Sequence, residues 1–216
     1  MKIKICGIRR EEDVRFLNES MPDYAGFVFA PSRRRVLPER ALILREKLDR
    51  RIQVFGVFVN APADYICERV REGSIDAVQL HGDESEQEIL ELKKRTAVPV
   101  IKAVRVRKAA DIRLADQLPC DFLLLDTYSS AGYGGTGKTF AWEMIPERLS
   151  HPFFLAGGLD WHNVCQAIER VGCYGVDVSG GVETDGKKDG QKIKRFVENV
   201  RFLENDRSSQ SIGDKI

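Results

Sequence analysis

Short runs of apolar and β-branched residues alternate with segments of helical periodicity along most of the chain. Eight runs have the length and composition of buried strands, and they lie at Lys2–Cys6, Tyr24–Ala30, Gln53–Val59, Ala77–His81, Val98–Val104, Phe122–Asp126, Phe153–Ala156 and Gly175–Ser179. A segment of helical character follows each of them, and these begin near Glu11, Pro38, Pro62, Ser85, Lys108, Phe140, Trp161 and Asp189. Strands that alternate with helices pair in parallel through crossovers. The pattern therefore predicts an α/β fold.

Eight strand–helix units favour a closed (β/α)₈ barrel, or TIM barrel, in a single domain. Dividing the 216 residues among eight units leaves about 27 for each, enough for one strand, one helix and two short loops. An open doubly wound sheet is the alternative, but it usually has fewer strands and a glycine-rich turn after the first one. The barrel is expected to span residues 1–205. A polar, disordered C-terminal tail is expected over residues 206–216.

Composition and charge fit a cytoplasmic domain that binds a small molecule. The chain has 34 Lys and Arg against 33 Asp and Glu, and this net charge of +1 argues against a nucleic-acid partner. No apolar run approaches the roughly 18 residues of a membrane span. Charged residues interrupt the N-terminal segment, so it does not have the pattern of a signal peptide. The five cysteines form no CxxC pair and are expected to be thiols in a reducing compartment.

Polar residues interrupt several of the predicted strands. If Cys6 points into the barrel, the alternation of a strand turns a set of polar side chains inward, and this set is Lys4, Gln79, His81, Lys102, Asp126, Asp177 and Ser179. One interpretation is an internal ion network, in which Lys4 or Lys102 pairs with Asp177. The functional interpretation is favoured because Cys6, His81, Asp126 and Ser179 fall at the carboxyl ends of strands, where active sites of this fold lie.

Two glycine pairs follow the last two strands of the predicted barrel. They are Gly157-Gly158 and Gly180-Gly181, the second directly after Ser179. Glycines let backbone amides approach a ligand closely, and the loops after strands seven and eight are the recurrent phosphate site of this fold. Tight turns are the alternative interpretation. The run Arg33–Arg35 after strand two is weaker evidence for an anion, because most charge runs are solvated.

A glycine-rich segment matches the Walker A pattern of nucleotide-binding proteins over Gly132–Thr139. A P-loop joins a strand directly to a helix, whereas five residues separate Asp126 from Gly132 here. This segment is therefore interpreted as a loop that covers the mouth of the barrel.

Cys6 and Asp126 are the candidate catalytic pair. Lys4 and Arg9 near Cys6 are expected to lower the pKa of its thiol, and a carboxyl group in the apolar run FLLLD can act as a proton donor. A thiolate base and a carboxylic acid on different strands can move protons without a cofactor. The three histidines show no ligand spacing, so neither a metal nor a cofactor is expected.

Eight motifs, spread in order from residue 4 to about residue 190, give the chain a specific resemblance to the phosphoribosylanthranilate isomerase family of tryptophan biosynthesis. The motifs are KICGI (4–8), GFVFAPSRRRV (26–36), GVFVN (56–60), QLHGDE (79–84), LLLDT (123–127), GGTGKTFAW (134–142), AGGL (156–159) and DVSGGVE (177–183). Two departures from the family pattern are Gly180, where a serine is frequent, and Ala141, where an aspartate is frequent.

The resemblance implies an Amadori rearrangement of N-(5-phosphoribosyl)anthranilate to 1-(2-carboxyphenylamino)-1-deoxyribulose 5-phosphate. It implies Asp126 as general acid, Cys6 as general base and Arg34 on the anthranilate carboxylate, with Arg33 and Arg35 as alternatives to Arg34. It places His81 and Asp177 in the substrate pocket, and the phosphate on a set comprising Gly157, Gly158, Ser179 and Gly180. Another phosphosugar barrel isomerase or epimerase, or a P-loop protein, would be the alternatives. A complete barrel can act as a monomer, with a homodimer as the alternative state.

Overall fold

The computed structural model describes residues 1–127 and 140–213, with side chains described as far as residue 204. Eight parallel strands close into a barrel in sequence order, so that β1 pairs with both β2 and β8. They are β1 Lys2–Cys6, β2 Tyr24–Val28, β3 Gln53–Phe58, β4 Ala77–Leu80, β5 Val100–Val106, β6 Phe122–Thr127, β7 Phe153–Leu155 and β8 Gly175–Val178. The barrel and its strand order are as the sequence predicts. The Walker A match, Gly132–Thr139, lies outside the described residues.

Helices follow the strands and cover the outside of the barrel. Within the described residues they are α1 Glu11–Ser20, α2 Pro38–Lys47, α3 Ala63–Arg71, α4 Glu86–Arg95, α5 Ala109–Ala115, α6 Val164–Arg170 and α7 Gly190–Gly213. Local sequence explains their starts; for example, Ser85 Oγ accepts a hydrogen bond from the Glu88 amide while Glu88 Oε2 accepts one from the Ser85 amide.

The structure differs from the sequence prediction at one helix and in the backbone of part of the C-terminal tail. The helix expected near Phe140 is a single 3₁₀ turn, Trp142–Met144, since Pro146 follows it and has no amide to continue a helix. The backbone of residues 206–213 belongs to α7, where a disordered tail is expected from the sequence. A helix that has already formed gains one hydrogen bond for each added residue, which favours its extension through a polar segment. Residues 214–216 lie outside the described part, and the boundary at residue 205 stays a prediction.

A short hairpin after β8 is absent from the sequence prediction. Its strands are β9 Glu183–Thr184 and β10 Lys187–Lys188, and they pair antiparallel. Asp185 and Gly186 form the turn with φ of 50° and 72°, as a two-residue hairpin turn requires. The Asp-Gly dipeptide is the signal that would have found this hairpin.

The inside of the barrel is apolar at one end and polar at the other. At the amino-terminal end, the aromatic rings of Tyr24 and Phe55 lie 4.7 Å apart and those of Phe122 and Tyr174 lie 5.0 Å apart. The inward side chains nearer the carboxyl ends of the strands include Lys4, Gln79, Asp126 and Asp177, all buried. Since parallel strands are covered on both faces, the polar end is enclosed by protein except at the mouth of the barrel.

Lys102 is the exception to the predicted set of inward residues. Its neighbours Ile101 and Ala103 join the apolar interior of the barrel, so Lys102 faces the helices. There its Nζ lies 2.8 Å from Glu84 Oε2 and 2.7 Å from the carbonyl oxygen of Gly82. The predicted pairing of Lys102 with Asp177 is therefore wrong, whereas Lys4 Nζ does lie 2.8 Å from Asp177 Oδ1.

Candidate active site

One cavity of about 650 Å³ opens at the carboxyl ends of the strands. Of the three arginines considered for the carboxylate, Arg33 and Arg34 line it and Arg35 does not. The cavity is also lined by the other residues to which the sequence assigns a role, namely Cys6, His81, Asp126, Gly157, Gly158, Asp177, Ser179 and Gly180. A cavity of this size suits a ligand of the size of a phosphosugar. The arrangement brings a thiol, carboxylates, an imidazole, a guanidinium and two glycine-rich loops into contact with the same space.

Cys6 ends β1 and is buried above the ion pair of Lys4 and Asp177. Burial raises the pKa of the Cys6 thiol above its ordinary value, and the positive charge of Lys4 opposes this only in part. The expectation of a lowered thiol pKa is therefore wrong. The desolvation of a thiolate in this closed environment outweighs its attraction to the nearby cation.

Asp126 lies near the end of β6, and each of its oxygens faces a different group. Oδ1 accepts a hydrogen bond of 2.8 Å from the Thr127 amide, and Oδ2 lies 3.4 Å from Nε2 of His81. The Gln79 amide nitrogen donates to Nδ1 of His81 at 2.9 Å, so a neutral His81 carries its proton on Nε2, facing Asp126. Gln79 lines the cavity, but no role in the site is predicted for it from the sequence. Its predicted inward orientation in the strand is the signal that points to such a role.

The loops after β7 and β8 lie side by side at the mouth of the barrel. A bridge between Asp160 and Gly181 joins them. In the described part of the chain, the amides of Gly158 and Gly180 donate to no backbone carbonyl. Within the described residues, neither amide takes part in the backbone pairing of these two loops.

Arg34 reaches the same mouth from the loop after β2. Its Nε and Nη2 donate to the two carboxylate oxygens of Glu183 at 2.6 and 2.9 Å. Burial raises the pKa of Glu183, but Arg34 and Lys188 outweigh it and lower that pKa to about 2. Glu183 and Lys188 belong to the hairpin, and sequence reasoning gave neither of them a role.

The fold, and a rim that places ionisable side chains between two glycine-rich loops, are typical of a (β/α)₈-barrel enzyme. Comparison with known proteins gives its family. The family model described as N-(5'phosphoribosyl)anthranilate (PRA) isomerase matches residues 3–199, which is most of the chain. The chain belongs to this family, and it is an isomerase.

Individual relatives agree with this assignment. The N-(5'-phosphoribosyl)anthranilate isomerase of Endomicrobium trichonymphae is 49% identical over 94% of this chain and 99% of its own length. A structure of monomers derived from the dimeric phosphoribosylanthranilate isomerase of Thermotoga maritima has a TM-score of 0.79 at 36% identity, covering 94% of this chain and 99% of that one. A further structure of a phosphoribosyl anthranilate isomerase, in complex with reduced 1-(o-carboxyphenylamino)-1-deoxyribulose 5-phosphate, has a TM-score of 0.79 at 35% identity with the same coverage.

Proposed function

We propose that this chain converts N-(5-phosphoribosyl)anthranilate into 1-(2-carboxyphenylamino)-1-deoxyribulose 5-phosphate, with Asp126 as the general acid and Cys6 as the general base. The observation that carries the proposal is that Cys6 and Asp126 share one cavity with Arg34 and the two glycine-rich loops. The substrate has a carboxylate at one end and a phosphate at the other, and the cavity has anion-binding groups in two places. The complex of the relative with a reduced product supports this choice of ligand.

Asp126 begins the reaction by giving a proton to the ring oxygen of the ribose. The bond between this oxygen and C1′ breaks as the lone pair of the anthranilate nitrogen forms a C=N bond, which leaves an open-chain Schiff base. The Thr127 amide holds one carboxylate oxygen of Asp126, so the other is left to act toward the cavity. His81, 3.4 Å from that second oxygen, favours the carboxylate that remains.

Cys6 then takes the proton from C2′. The electrons of that C–H bond form a C1′=C2′ double bond, and those of the C=N bond return to nitrogen. The resulting enolamine tautomerises to the ketone, so the overall reaction neither gains nor loses an atom. Lys4 and Asp177 lie beneath Cys6, and the positive charge of Lys4 favours the thiolate that accepts the proton.

The two ends of the substrate are proposed to bind on different loops of the mouth. Arg34 takes the anthranilate carboxylate, because a guanidinium can donate two parallel hydrogen bonds to a planar anion. Gly157, Gly158, Ser179 and Gly180 take the phosphate, with amides and a hydroxyl as donors. These contacts hold C1′ and C2′ near the acid and the base.

Single substitutions of the acid and the base test the chemistry. Asp126→Asn and Cys6→Ala are each expected to lower kcat by about 10²–10⁴-fold, because each removes one proton transfer. Both are expected to bind the product with an unchanged Kd in calorimetry. A near-normal kcat in either variant would refute the role of that residue. Rescue of an isomerase-deficient tryptophan auxotroph by the parent, and not by Asp126→Asn, tests the reaction in the cell.

A monomer in the cytoplasm is the proposed state of the chain. A complete barrel carries all the proposed site residues on one chain, so catalysis needs no second copy. No helix in the described residues is long and apolar enough to cross a membrane. Light scattering coupled to size-exclusion chromatography distinguishes a monomer of 24.4 kDa from the dimer known for the Thermotoga maritima relative.

A further inference from the structure

Glu183 is a buried carboxylate that contacts three cations at the mouth of the barrel. Besides its two bonds from Arg34, it accepts hydrogen bonds from Arg33 Nη2 at 3.1 Å and from Lys188 Nζ at 3.0 Å. Only 6% of its side chain is exposed. Enclosing this many charges is costly unless they are well paired. The proposed reaction uses none of these contacts directly. The cluster of Glu183 with its three cations is therefore expected to have another role.

The pairing with Glu183 occupies one edge of the Arg34 guanidinium. Glu183 takes Nε–H and one Nη2–H, so this is a side-on contact. A guanidinium has five N–H donors in one plane, and the donors of Nη1 have no partner among the described residues. The edge formed by Nη1 and Nη2 is thus left for a second planar anion, held through two parallel hydrogen bonds.

Lys188 links the same carboxylate to the loop after β8. Its Nζ donates to the carbonyl oxygen of Ser179 at 2.8 Å and lies 3.3 Å from the hydroxyl of that residue. The side chain of Lys188 is 1% exposed. The hairpin thereby connects the loop proposed for the phosphate with the arginine proposed for the carboxylate.

We propose that Glu183 is a positioning residue, which fixes Arg34 so that its free edge receives the aromatic carboxylate, and that Lys188 ties this arrangement to the phosphate loop. The inference rests on the proposed function, since it takes Arg34 as the group that binds the substrate carboxylate. It also gives a reason to assign the carboxylate to Arg34 rather than to Arg33. The side chain of Arg33 is 61% exposed and makes one bond to Glu183, so it adds charge without a fixed orientation.

Positioning and simple charge predict opposite effects when Glu183 loses its charge. Removing a carboxylate from beside three cations makes the mouth more positive, which by Coulomb attraction alone strengthens the binding of an anion. If Glu183 orients Arg34, the same change releases the guanidinium and weakens binding of a carboxylate.

The experiment compares Glu183→Gln with Asp185→Asn. Both substitutions are isosteric and remove one negative charge from the hairpin, but Asp185 is exposed on its turn. Calorimetry with anthranilate as the probe is expected to show a Kd about tenfold or more higher for Glu183→Gln, and steady-state kinetics a matching rise in KM with kcat changed little. Asp185→Asn is expected to match the parent. Titration with inorganic phosphate is expected to show no rise in Kd for either variant, because loss of a negative charge alone does not weaken the binding of an anion.

Arg34→Ala separates failure of this inference from failure of the proposed function. If Glu183→Gln binds anthranilate as tightly as the parent or more tightly, while Arg34→Ala loses binding, the positioning role is refuted and the proposed function stands. If Arg34→Ala binds anthranilate normally, the proposed carboxylate site itself is wrong. If Glu183→Gln fails to fold by circular dichroism, Glu183→Asp decides the positioning role: it keeps the charge but withdraws the carboxylate from Arg34, and an unchanged Kd for anthranilate refutes that role. Lys188→Met tests the link to the loop after β8: it is expected to raise the Kd for phosphate several-fold, and an unchanged Kd refutes the link.

Discussion

Lys4 is a fully buried cation inside the barrel, directly beneath the proposed base. Its Nζ pairs with Asp177 at 2.8 Å and lies 5.5 Å from the centre of the Phe55 ring. Burial alone would lower the pKa of Lys4, but Asp177 and Cys6 outweigh it, so this pKa is raised and the side chain stays charged. A charge kept at this depth affects both the stability of the fold and the ionisation of the thiol above it.

Lys4→Met is expected to have two separable effects. It leaves Asp177 buried without its partner, so the free energy of unfolding should fall by about 3–5 kcal/mol in urea titrations. It also removes a cation that favours the Cys6 thiolate, so the thiol pKa should rise further. Below that pKa, each unit of increase lowers the thiolate fraction tenfold, and alkylation of Cys6 by iodoacetamide, followed by peptide mass mapping, should slow accordingly.

Lys102→Met is the control for this prediction. Lys102 forms a buried pair with Glu84 of the same length, 2.8 Å, but on the helix side of β5. A similar loss of stability is expected, with no change in the pH dependence of Cys6 alkylation. Equal effects of both variants on alkylation would mean that Lys4 acts only through the fold.

At the scale of elements, the turn after β7 depends on a glycine. Gly157 has φ of +81°, and a Cβ there would lie 2.2 Å from Thr127 Oγ1 and 2.9 Å from Asp126 Oδ1. Gly157→Ala should therefore destabilise the protein by about 1–3 kcal/mol from backbone strain and also displace Asp126. The expected result is a fall in kcat as well as in the melting temperature.

Gly73→Ala isolates the backbone contribution to this prediction. Gly73 has φ of +74°, but nothing lies within 4 Å of the Cβ that alanine would add. The Gly73→Ala variant should therefore have a lower melting temperature than the parent and an unchanged kcat. If Gly157→Ala also retains the parent kcat, the close approach of this turn to Asp126 has no role in positioning the acid.

The elements also show what can be predicted from sequence and what cannot. The apolar runs located every barrel strand, but the alternation failed at β5, where Lys102 was assigned to the wrong face. A parallel strand is covered on both faces, and the apolar residues on both faces of β5 are buried, namely Val100, Ile101, Ala103 and Val104. The apolar pattern therefore does not indicate which residues of β5 point into the barrel. The hairpin was missed because Glu183 and Lys188 are charged, and two-residue strands have no apolar period.

At the scale of the whole molecule, the site candidates could be found because one rule of the fold brings the carboxyl ends of all strands to one rim. The identity of residues such as Cys6 and Asp126 was therefore informative without any knowledge of distances. The electrostatic environment of these residues could not be predicted in the same way, because the raised pKa of the Cys6 thiol results from the depth of its burial. Burial depth depends on how the barrel closes, which local sequence does not encode.

The last helix, α7, packs beside β1 and so joins the two ends of the barrel. The apolar side of α7 is buried through Ile193, Phe196 and Val200. Further along, Arg201 donates to Asp23 Oδ2 at 2.6 Å and to the carbonyl oxygen of Met1 at 3.0 Å, and Glu204 pairs with the amino group of Met1. These polar contacts hold the residues that precede β1 and β2 against the middle of α7.

Two truncations locate the end of the folded unit. Deleting residues 206–216 keeps every contact described for α7 and should change the melting temperature by no more than about 2 °C. Deleting residues 201–216 removes the α7 partners of Met1 and one of the partners of Asp23, and a loss of about 2–3 kcal/mol corresponds to a drop of roughly 4–12 °C in a chain of this size. Differential scanning calorimetry measures both. A large drop in the first truncation would place residues 206–213 within the cooperative fold, because a helical segment without stabilising contacts adds little to the unfolding enthalpy.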